Sequence, residues 1–334
     1  MIWTADRLDE FVTKSMHLGG ADNPDCQSFW QDFEYAPSVD INVKLDPFGS
    51  EYARQQMCLY EELAGHPYDV DQHEQTSFDI EQHVTAINPY GSPDATMMSV
   101  HLQRLSRAFS CANIQRGELL LDMGCGWGLS SEVAAYLGLR VHGVDINPQF
   151  VELVNRRARR KGLPITAIQS SFNNYSSAEA PDLVLFYECL HHATDPVAIV
   201  KHYAGILRQG GRMILAGEPI NDIWWPHWGM RLDPLSVYCI RRFGWFEAGW
   251  SMEHILEVIR HAGLTPALHH HPDNIVGPVI VGVKGKKPPA AIAPLSPGPA
   301  NKHLALGGIR RAWRSTAPLP LRRALYRLRS RIFM

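Results

Sequence analysis

A short glycine-rich run after a buried strand constrains the fold more than any other part of the chain. Leu119–Met123 is typical of an apolar strand and carries Asp122 near its end. The residues that follow include Gly124, Cys125, Gly126 and Gly128. Glycine lets a backbone turn sharply and approach a ligand closely. The run therefore predicts a tight loop between a parallel strand and a helix beginning near Ser130.

The spacing of these glycines separates two nucleotide-binding folds. A dinucleotide-binding loop has the pattern G-x-G-x-x-G, but Leu129 stands where its third glycine belongs. The pattern here is G-x-G-x-G after an acidic residue. A nicotinamide-dependent oxidoreductase thus remains only as an alternative.

Strand and helix patterns alternate through the middle of the chain, which predicts a parallel sheet. Strands are predicted at Leu119–Met123, Arg140–Ile146, Ile165–Ser170, Asp182–Tyr187, Arg212–Gly217 and Val279–Val283, and another ends near His269–His271. Two helices are predicted to begin at Pro148 and Pro196, each after a capping residue, because proline suits the first helical position.

Four motifs resemble those of class I S-adenosylmethionine-dependent methyltransferases: the glycine loop, Asp145, the run 187–192 and the run 207–212. The resemblance covers about residues 95–285. It implies an α/β, Rossmann-like methyltransferase fold with a seven-stranded sheet ordered 3-2-1-4-5-7-6, strand 7 antiparallel. It also implies S-adenosylmethionine as the cofactor, bound at the carboxyl ends of the strands.

The resemblance places the cofactor contacts on particular residues. The expected cofactor-binding residues are Asp122, Gly124, Cys125, Gly126, Gly128, Asp145, Ile146, Ser171, Phe172 and Tyr187. Loop amides at the helix N-terminus suit the methionine carboxylate. Asp122 suits its amino group, and Asp145 suits the ribose hydroxyls, although a strand-end Asp145 could instead be merely solvated. Ser171 replaces the acidic residue that contacts adenine in many relatives, and a serine bonds more weakly than a carboxylate.

An oxygen acceptor benefits from a base that removes its proton, and histidine suits that role near neutral pH. The candidate catalytic residues are His192, His191 and Glu218, which follow the fourth and fifth core strands. One histidine could instead cap the next helix or pack under the sheet, and Glu218 could anchor its loop. The tripeptide His269–His271 lacks the ligand pattern of a metal site, so we expect no metal.

An insertion after the fifth core strand, residues 222–250, contains five of the nine tryptophans. Aromatic rings with interspersed charges suit a sugar, although they could also form a local core. The predicted substrate-binding residues are Glu188, Trp224, Trp225, His227 and Arg231. The insertion is similar to that of methyltransferases associated with bacterial surface-polysaccharide synthesis. The resemblance implies O-methylation of a saccharide or another hydroxylated metabolite; a different small molecule, or a non-catalytic cofactor-binding scaffold, is an alternative.

Charge and composition divide the chain into four regions. We expect an acidic N-terminal cap or lid at 1–90, a cofactor-binding core at 91–285, a proline-rich linker at 286–300 and a basic amphipathic tail at 301–334. Residues 1–82 hold 17 acidic and 4 basic residues, whereas the tail holds 9 basic residues and no acidic ones. The tail suits weak docking on an anionic membrane surface, but it could also fold onto the acidic region or stay disordered.

The remaining charge argues against a nucleic-acid partner. Residues 1–300 carry 23 basic and 34 acidic residues, whereas binding to phosphate backbones requires a basic surface. The six cysteines form no C-x-x-C pair, and the N-terminus lacks a basic region followed by an apolar run. We therefore expect reduced thiols in a cytoplasmic protein, which would lie at the inner membrane face if the tail docks on a membrane.

Overall fold

The computed structural model describes residues 2–222, 226–271 and 276–285. The helices are α1 (Leu8–His17), α2 (Pro24–Trp30), α3 (Ser50–Ala64), α4 (Val70–His73), α5 (Ile80–Thr85), α6 (Ala95–Cys111), α7 (Leu129–Tyr136), α8 (Pro148–Lys161), α9 (Pro196–Ile206), α10 (Pro234–Phe243) and α11 (Met252–His261). The strands are β1 (Ile2–Trp3), β2 (Glu34–Tyr35), β3 (Leu119–Met123), β4 (Arg140–Asp145), β5 (Ile165–Gln169), β6 (Leu183–Tyr187), β7 (Arg212–Ala216), β8 (Trp228–Met230), β9 (Ala248–Trp250), β10 (Leu264–His269) and β11 (Val279–Lys284). The predicted linker 286–300, the predicted tail 301–334, Trp224 and Trp225 lie outside the described residues.

Seven strands form the main sheet, in the order β10-β11-β7-β6-β3-β4-β5. All neighbouring pairs from β7 to β5 are parallel, whereas β11 is antiparallel to both β7 and β10. Counted along the chain from β3, this is the order 3-2-1-4-5-7-6 with strand 7 antiparallel. The predicted fold class and strand order are confirmed.

The two central strands of the sheet, β3 and β6, correspond to apolar runs that the sequence analysis predicted as strands. Every residue of β3 and of β6 is buried, because helices cover both faces of a mostly parallel sheet. The predicted helix starts also hold: Asn147 caps α8 through its side chain, and Asp195 caps α9. Pro148 and Pro196 occupy the first turns of these helices, as their fixed φ angle favours.

Contacts divide the described residues into two units. The sheet unit comprises Asp69–Glu218 and residues 256–285, and it includes the whole seven-stranded sheet. Its core lies between α6, α7, α8 and the sheet, with Leu105, Phe109, Leu120 and Leu185 fully or almost fully buried. Burial of such side chains is the main force that stabilises this unit.

The aromatic unit comprises the residues through Tyr68 together with Pro219–Ile255. Its core is built from large rings: Trp3, Phe11, Tyr35, Tyr52, Tyr60, Trp228, Phe246 and Trp250 are each at most 2% exposed. The Tyr60 hydroxyl donates to the Gly244 carbonyl at 2.6 Å, and the Tyr52 hydroxyl donates to the Trp228 carbonyl. Buried phenols need such acceptors, so these bonds join α3 to the insertion.

None of the helices in the described ranges combines the length and the apolarity needed to cross a membrane.

Candidate functional site

The glycine loop leaves the carboxyl end of β3 and leads into α7. Gly124 and Gly126 have φ angles of 62° and 48°, which lie in the left-handed region that favours glycine. A Cβ atom at Gly124 would lie 2.8 Å from Cys189 Cβ, whereas one at Gly126 would meet nothing nearer than the Gly124 carbonyl oxygen at 3.9 Å. Gly124 is thus required for packing, and Gly126 leaves open space beside the loop.

The rest of the loop is held by the sheet and the next helix. The Cys125 amide donates to the Val144 carbonyl on β4 at 3.1 Å, and burial raises the pKa of the Cys125 thiol. Gly128 is the N-cap residue of α7. The loop is therefore fixed at both ends, with its amides beside a helix N-terminus, where anions are favoured.

Asp122 is a buried carboxylate, and one of its two oxygens has no hydrogen-bond partner among the described residues. Its Oδ2 atom accepts from the Ser130 and Ser131 hydroxyls at 2.7 and 2.6 Å. Its Oδ1 atom is buried and has no hydrogen-bond partner among the described residues. Burial raises the pKa of Asp122 to about 6. A buried acceptor without a partner is costly, so this atom suits a donor such as the ammonium group of S-adenosylmethionine.

Asp145 ends β4 and faces the glycine loop. Its Oδ2 atom accepts from the Gly126 amide at 2.8 Å, and its Oδ1 atom accepts from the Asn147 amide at 2.9 Å. Burial raises the pKa of Asp145, and these amides together with nearby His192 oppose that rise. Each carboxylate oxygen can accept more than one hydrogen bond, so both remain able to bind ribose hydroxyls. Ile146, half-buried, follows directly.

Ser171 and Phe172 follow β5. The Ser171 carbonyl accepts from the Asn174 and Tyr175 amides, both at 3.3 Å, which closes a turn. Phe172 Cζ lies 3.5 Å from the position of a Cβ at Gly124, so its ring lies beside the glycine loop. The structure thus brings Phe172 to the loop, as the predicted contact with the cofactor requires.

The end of β6 is bound to α6 by a polar cluster that the sequence patterns did not reveal. The Tyr187 hydroxyl lies 2.6 Å from His101 Nδ1. The Glu188 carboxylate forms an ion pair with Arg104 and lies 3.6 Å from His101 Nδ1. The Tyr90 ring stacks on His101, with centroids 5.2 Å apart. Glu188 also has a φ angle of 52°, a rare conformation for a residue other than glycine that often occurs at functional sites.

His191 and Glu218 form a buried pair beside this cluster. His191 Nδ1 lies 3.1 Å from Glu218 Oε2. The Glu218 carboxylate also accepts from the amides of Cys189, Leu190 and His191 at 3.0 to 3.1 Å. Burial acts to raise the pKa of Glu218, but His191 and these amides hold it below its ordinary value. Glu218 therefore anchors the loop, which is the alternative role given to it above, and its carboxylate also contacts the His191 ring.

His192 faces a carboxylate that the sequence reasoning missed. Its Nδ1 atom lies 3.5 Å from Glu74 Oε2. Glu74 belongs to the sheet unit, although it lies within the N-terminal region predicted as a cap. No periodicity or motif marked Glu74, because it precedes His192 by more than a hundred residues.

Two predicted substrate-binding residues, His227 and Arg231, lie in the aromatic unit. The His227 ring contacts Tyr52, with centroids 6.0 Å apart. Arg231 Nε lies 3.0 Å from Asp233 Oδ2, and its guanidinium also lies 3.3 Å from Glu247 Oε2. These two carboxylates already hold the guanidinium of a residue that was predicted to bind the substrate.

The aromatic insertion forms a core in the described residues. Trp228 and Trp250 are each 2% exposed and lie opposite one another in the two-stranded antiparallel sheet formed by β8 and β9. This outcome matches the alternative interpretation of the insertion, a local aromatic core, for these two rings. The physical reason is that large aromatic side chains bury more surface than any other residue type.

A comparison with protein families decides what the sheet unit is. Residues 121–215 match the family model described as a methyltransferase domain. This match places a methyltransferase domain within the sheet unit. The Oδ1 atom of Asp122, which has no hydrogen-bond partner among the described residues, fits the ammonium group of S-adenosylmethionine.

Relatives that are named methyltransferases are similar to part of this chain. A ubiquinone biosynthesis O-methyltransferase of Proteus mirabilis is 35% identical over 112 residues, which are 33% of this chain and 45% of that protein. A protein of the same name from Cereibacter sphaeroides is 32% identical over 157 residues, 45% of this chain and 61% of that protein. The chain therefore spans less than two thirds of the length of either relative.

Solved structures show a weaker likeness to the methyltransferase domain. The magnesium protoporphyrin IX methyltransferase of Synechocystis, solved with bound S-adenosylmethionine, has a TM-score of 0.45 and 17% identity, over 73% of this chain and all of that one.

Proposed function

We propose that this protein is an S-adenosylmethionine-dependent O-methyltransferase that acts on a saccharide or another hydroxylated metabolite. The observation that carries the proposal is the buried Oδ1 atom of Asp122, which has no hydrogen-bond partner among the described residues and lies at the start of the glycine loop. An ammonium donor there would satisfy an atom whose burial is otherwise costly. Asp145 would accept from the ribose, and Phe172 and Ser171 would contact the adenine.

The chemistry assigned to this chain's own residues is deprotonation and positioning. When bound, S-adenosylmethionine supplies an electrophilic methyl group on a sulfonium. His192 would remove the acceptor hydroxyl proton, since an imidazole is basic near neutral pH. Glu218 would keep His191 and the loop after β6 in place. Glu188 would contact the acceptor while it remains bound to Arg104.

One comparison and one resemblance noted in the sequence bear on the class of acceptor. The relatives' name, ubiquinone biosynthesis O-methyltransferase, supports an oxygen acceptor. The similarity of the insertion to methyltransferases of surface-polysaccharide synthesis supports a saccharide. Incubating the protein with labelled S-adenosylmethionine and, separately, cell-surface glycan and quinone-containing lipid extracts distinguishes the two. Label in the lipid fraction alone would contradict the saccharide acceptor.

Two other classes of function remain distinguishable by ligand binding. Stabilisation against heat by S-adenosylhomocysteine, and none by NAD, is expected of a methyltransferase; the reverse result would favour an oxidoreductase. A cofactor-binding scaffold would be stabilised by S-adenosylhomocysteine but would label neither extract. Stabilisation by neither ligand would contradict the cofactor site itself.

A further inference from the structure

Two neighbouring histidines each face a carboxylate through the same ring nitrogen. His191 Nδ1 lies 3.1 Å from Glu218 Oε2, and His192 Nδ1 lies 3.5 Å from Glu74 Oε2. The two imidazole rings are adjacent, with centroids 4.3 Å apart and planes inclined by 37°. The loop after β6 thus holds two histidine–carboxylate dyads side by side.

The two dyads differ in burial and in hydrogen bonding. The Glu218 side chain is 1% exposed, and its oxygens also accept from three consecutive backbone amides. Glu218 therefore serves the backbone of the loop as much as the imidazole. In the second dyad, the His192 side chain is 26% exposed and that of Glu74 is 13% exposed. His192 is the more exposed of the two rings, and the Glu74 carboxylate lies beside its Nδ1 atom.

Glu74 begins a segment, residues 74–90, that we call the N-terminal strap. The strap is fixed to the start of α8, because Asn147 Nδ2 donates to the Thr76 carbonyl at 2.6 Å. The Phe78 ring packs on Trp127 of the glycine loop, with centroids 4.5 Å apart. The position of Glu74 is therefore set by the same elements that form the cofactor site.

A buried arginine on α8 binds the middle of the strap. The Arg157 guanidinium, on α8, donates to the carbonyls of His83 and Ala86 at 2.5 and 3.0 Å. The Arg157 side chain is 1% exposed and forms an ion pair with Glu132 of α7. A buried arginine with these partners cannot be released without a large cost in free energy. The strap is thus an integral part of the sheet unit.

We propose that Glu74 is a positioning residue that orients His192 as the base, an inference that rests on the function proposed above. A carboxylate opposite Nδ1 favours the tautomer in which Nδ1 carries the proton, and the lone pair is then on Nε2. Nε2 takes the proton of the acceptor hydroxyl, whose oxygen bonds to the methyl carbon. The methyl–sulfur bond breaks and leaves its electron pair on sulfur. Glu74 stabilises the resulting imidazolium, as a carboxylate does in other histidine dyads.

The tautomer of His192 tests the proposal without any acceptor. Long-range ¹⁵N–¹H correlation spectra distinguish the two ring nitrogens, and the His192→Gln spectrum assigns the signals. We expect Nδ1–H in the wild type and a mixture of tautomers in Glu74→Gln, because an amide can face the ring with either its oxygen or its NH₂ group. Glu81→Gln is the matched control: Glu81 lies on the same strap but pairs with Arg156. An unchanged His192 tautomer in Glu74→Gln would overturn the proposal.

Kinetics with the methylated extract give the second readout. Glu74→Gln should lower kcat by about 10-fold or more, a part of what a general base contributes, with the KM for S-adenosylmethionine unchanged. Glu74→Asp should restore part of kcat, and Glu81→Gln should leave it unaltered. Equal kcat values in Glu74→Gln and Glu81→Gln would contradict a positioning role. If the wild type methylates nothing, the proposed function fails, while the tautomer measurement still decides whether the dyad exists.

Discussion

Adding one methyl group at Gly124 or at Gly126 should separate packing from cofactor binding in the same loop. In Gly124→Ala, the new Cβ would lie 2.8 Å from Cys189 Cβ, and the φ angle of 62° would be strained. Left-handed strain costs about 1–2 kcal/mol, and overpacking adds about 1–3 kcal/mol. In Gly126→Ala, the nearest atom is 3.9 Å away, so only the strain of about 1–2 kcal/mol applies.

Urea unfolding followed by circular dichroism measures these losses. Gly124→Ala should lower the free energy of unfolding by about 2–5 kcal/mol, the sum of the strain and overpacking costs. In a Cys189→Gly background the clashing atom is absent, so the same substitution should cost only about 1–2 kcal/mol. An equal penalty in both backgrounds would refute the packing argument, because Cys189 would then not be the cause.

Calorimetric titration with S-adenosylhomocysteine measures how Gly126→Ala changes the affinity for the cofactor product. Because the Cβ of Gly126→Ala would enter the open space beside the loop, the variant should bind S-adenosylhomocysteine at least about 10-fold more weakly, a loss of about 1.4 kcal/mol. Unchanged affinity in this variant would mean that the cofactor does not approach the loop at Gly126.

Three further outcomes are expected. Burial raises the pKa of Asp122 from 3.8 to about 6, so the folded protein binds the extra proton between these pH values. Without cofactor, the free energy of unfolding should therefore fall by about 3 kcal/mol as the pH rises through this window. Asp122→Asn should remove this pH dependence in urea unfolding. An unchanged pH dependence in the variant would assign the effect to another group. His192→Ala should lower kcat by about 100-fold or more if His192 is the base, with S-adenosylhomocysteine affinity retained; a loss of a few fold would leave His192 only a role in positioning. Glu218→Ala should lower the free energy of unfolding by about 3 kcal/mol or more, because it leaves buried amides and His191 without their acceptor; a smaller loss in urea unfolding would show that Glu218 does not anchor the loop.

The outcomes for the insertion show where a pattern of residue types is ambiguous. A cluster of tryptophans predicts an aromatic environment, but the same rings can line a pocket or fill a core. Trp228 and Trp250 fill the core of the aromatic unit. Arg231 was predicted to bind the substrate, and the structure shows it paired with Asp233 and Glu247. Composition identifies such groups but does not show which way each side chain faces.

The sequence alone predicted the strands and helices of the sheet unit and the residues proposed for its cofactor site. Buried parallel strands appear as continuous apolar runs, and proline, capping residues and glycine mark the helix ends, so local chemistry was enough to place β3 through β7. The order 3-2-1-4-5-7-6 followed from resemblance and was confirmed by the strand pairing. Asp122, Asp145 and the glycine spacing were readable because they lie at fixed offsets from strand ends.

Only the tertiary structure showed which distant groups lie beside the candidate site residues. Glu74 meets His192, and Arg104 meets Glu188, across separations in sequence that no local pattern reports. Ser130 and Ser131 lie near Asp122 in sequence, yet their bonds to one of its oxygens, which leave the other open, depend on how α7 packs against β3. The physical reason is that strand and helix signals come from neighbouring residues, whereas hydrogen bonds and ion pairs depend on where the folded chain brings side chains together.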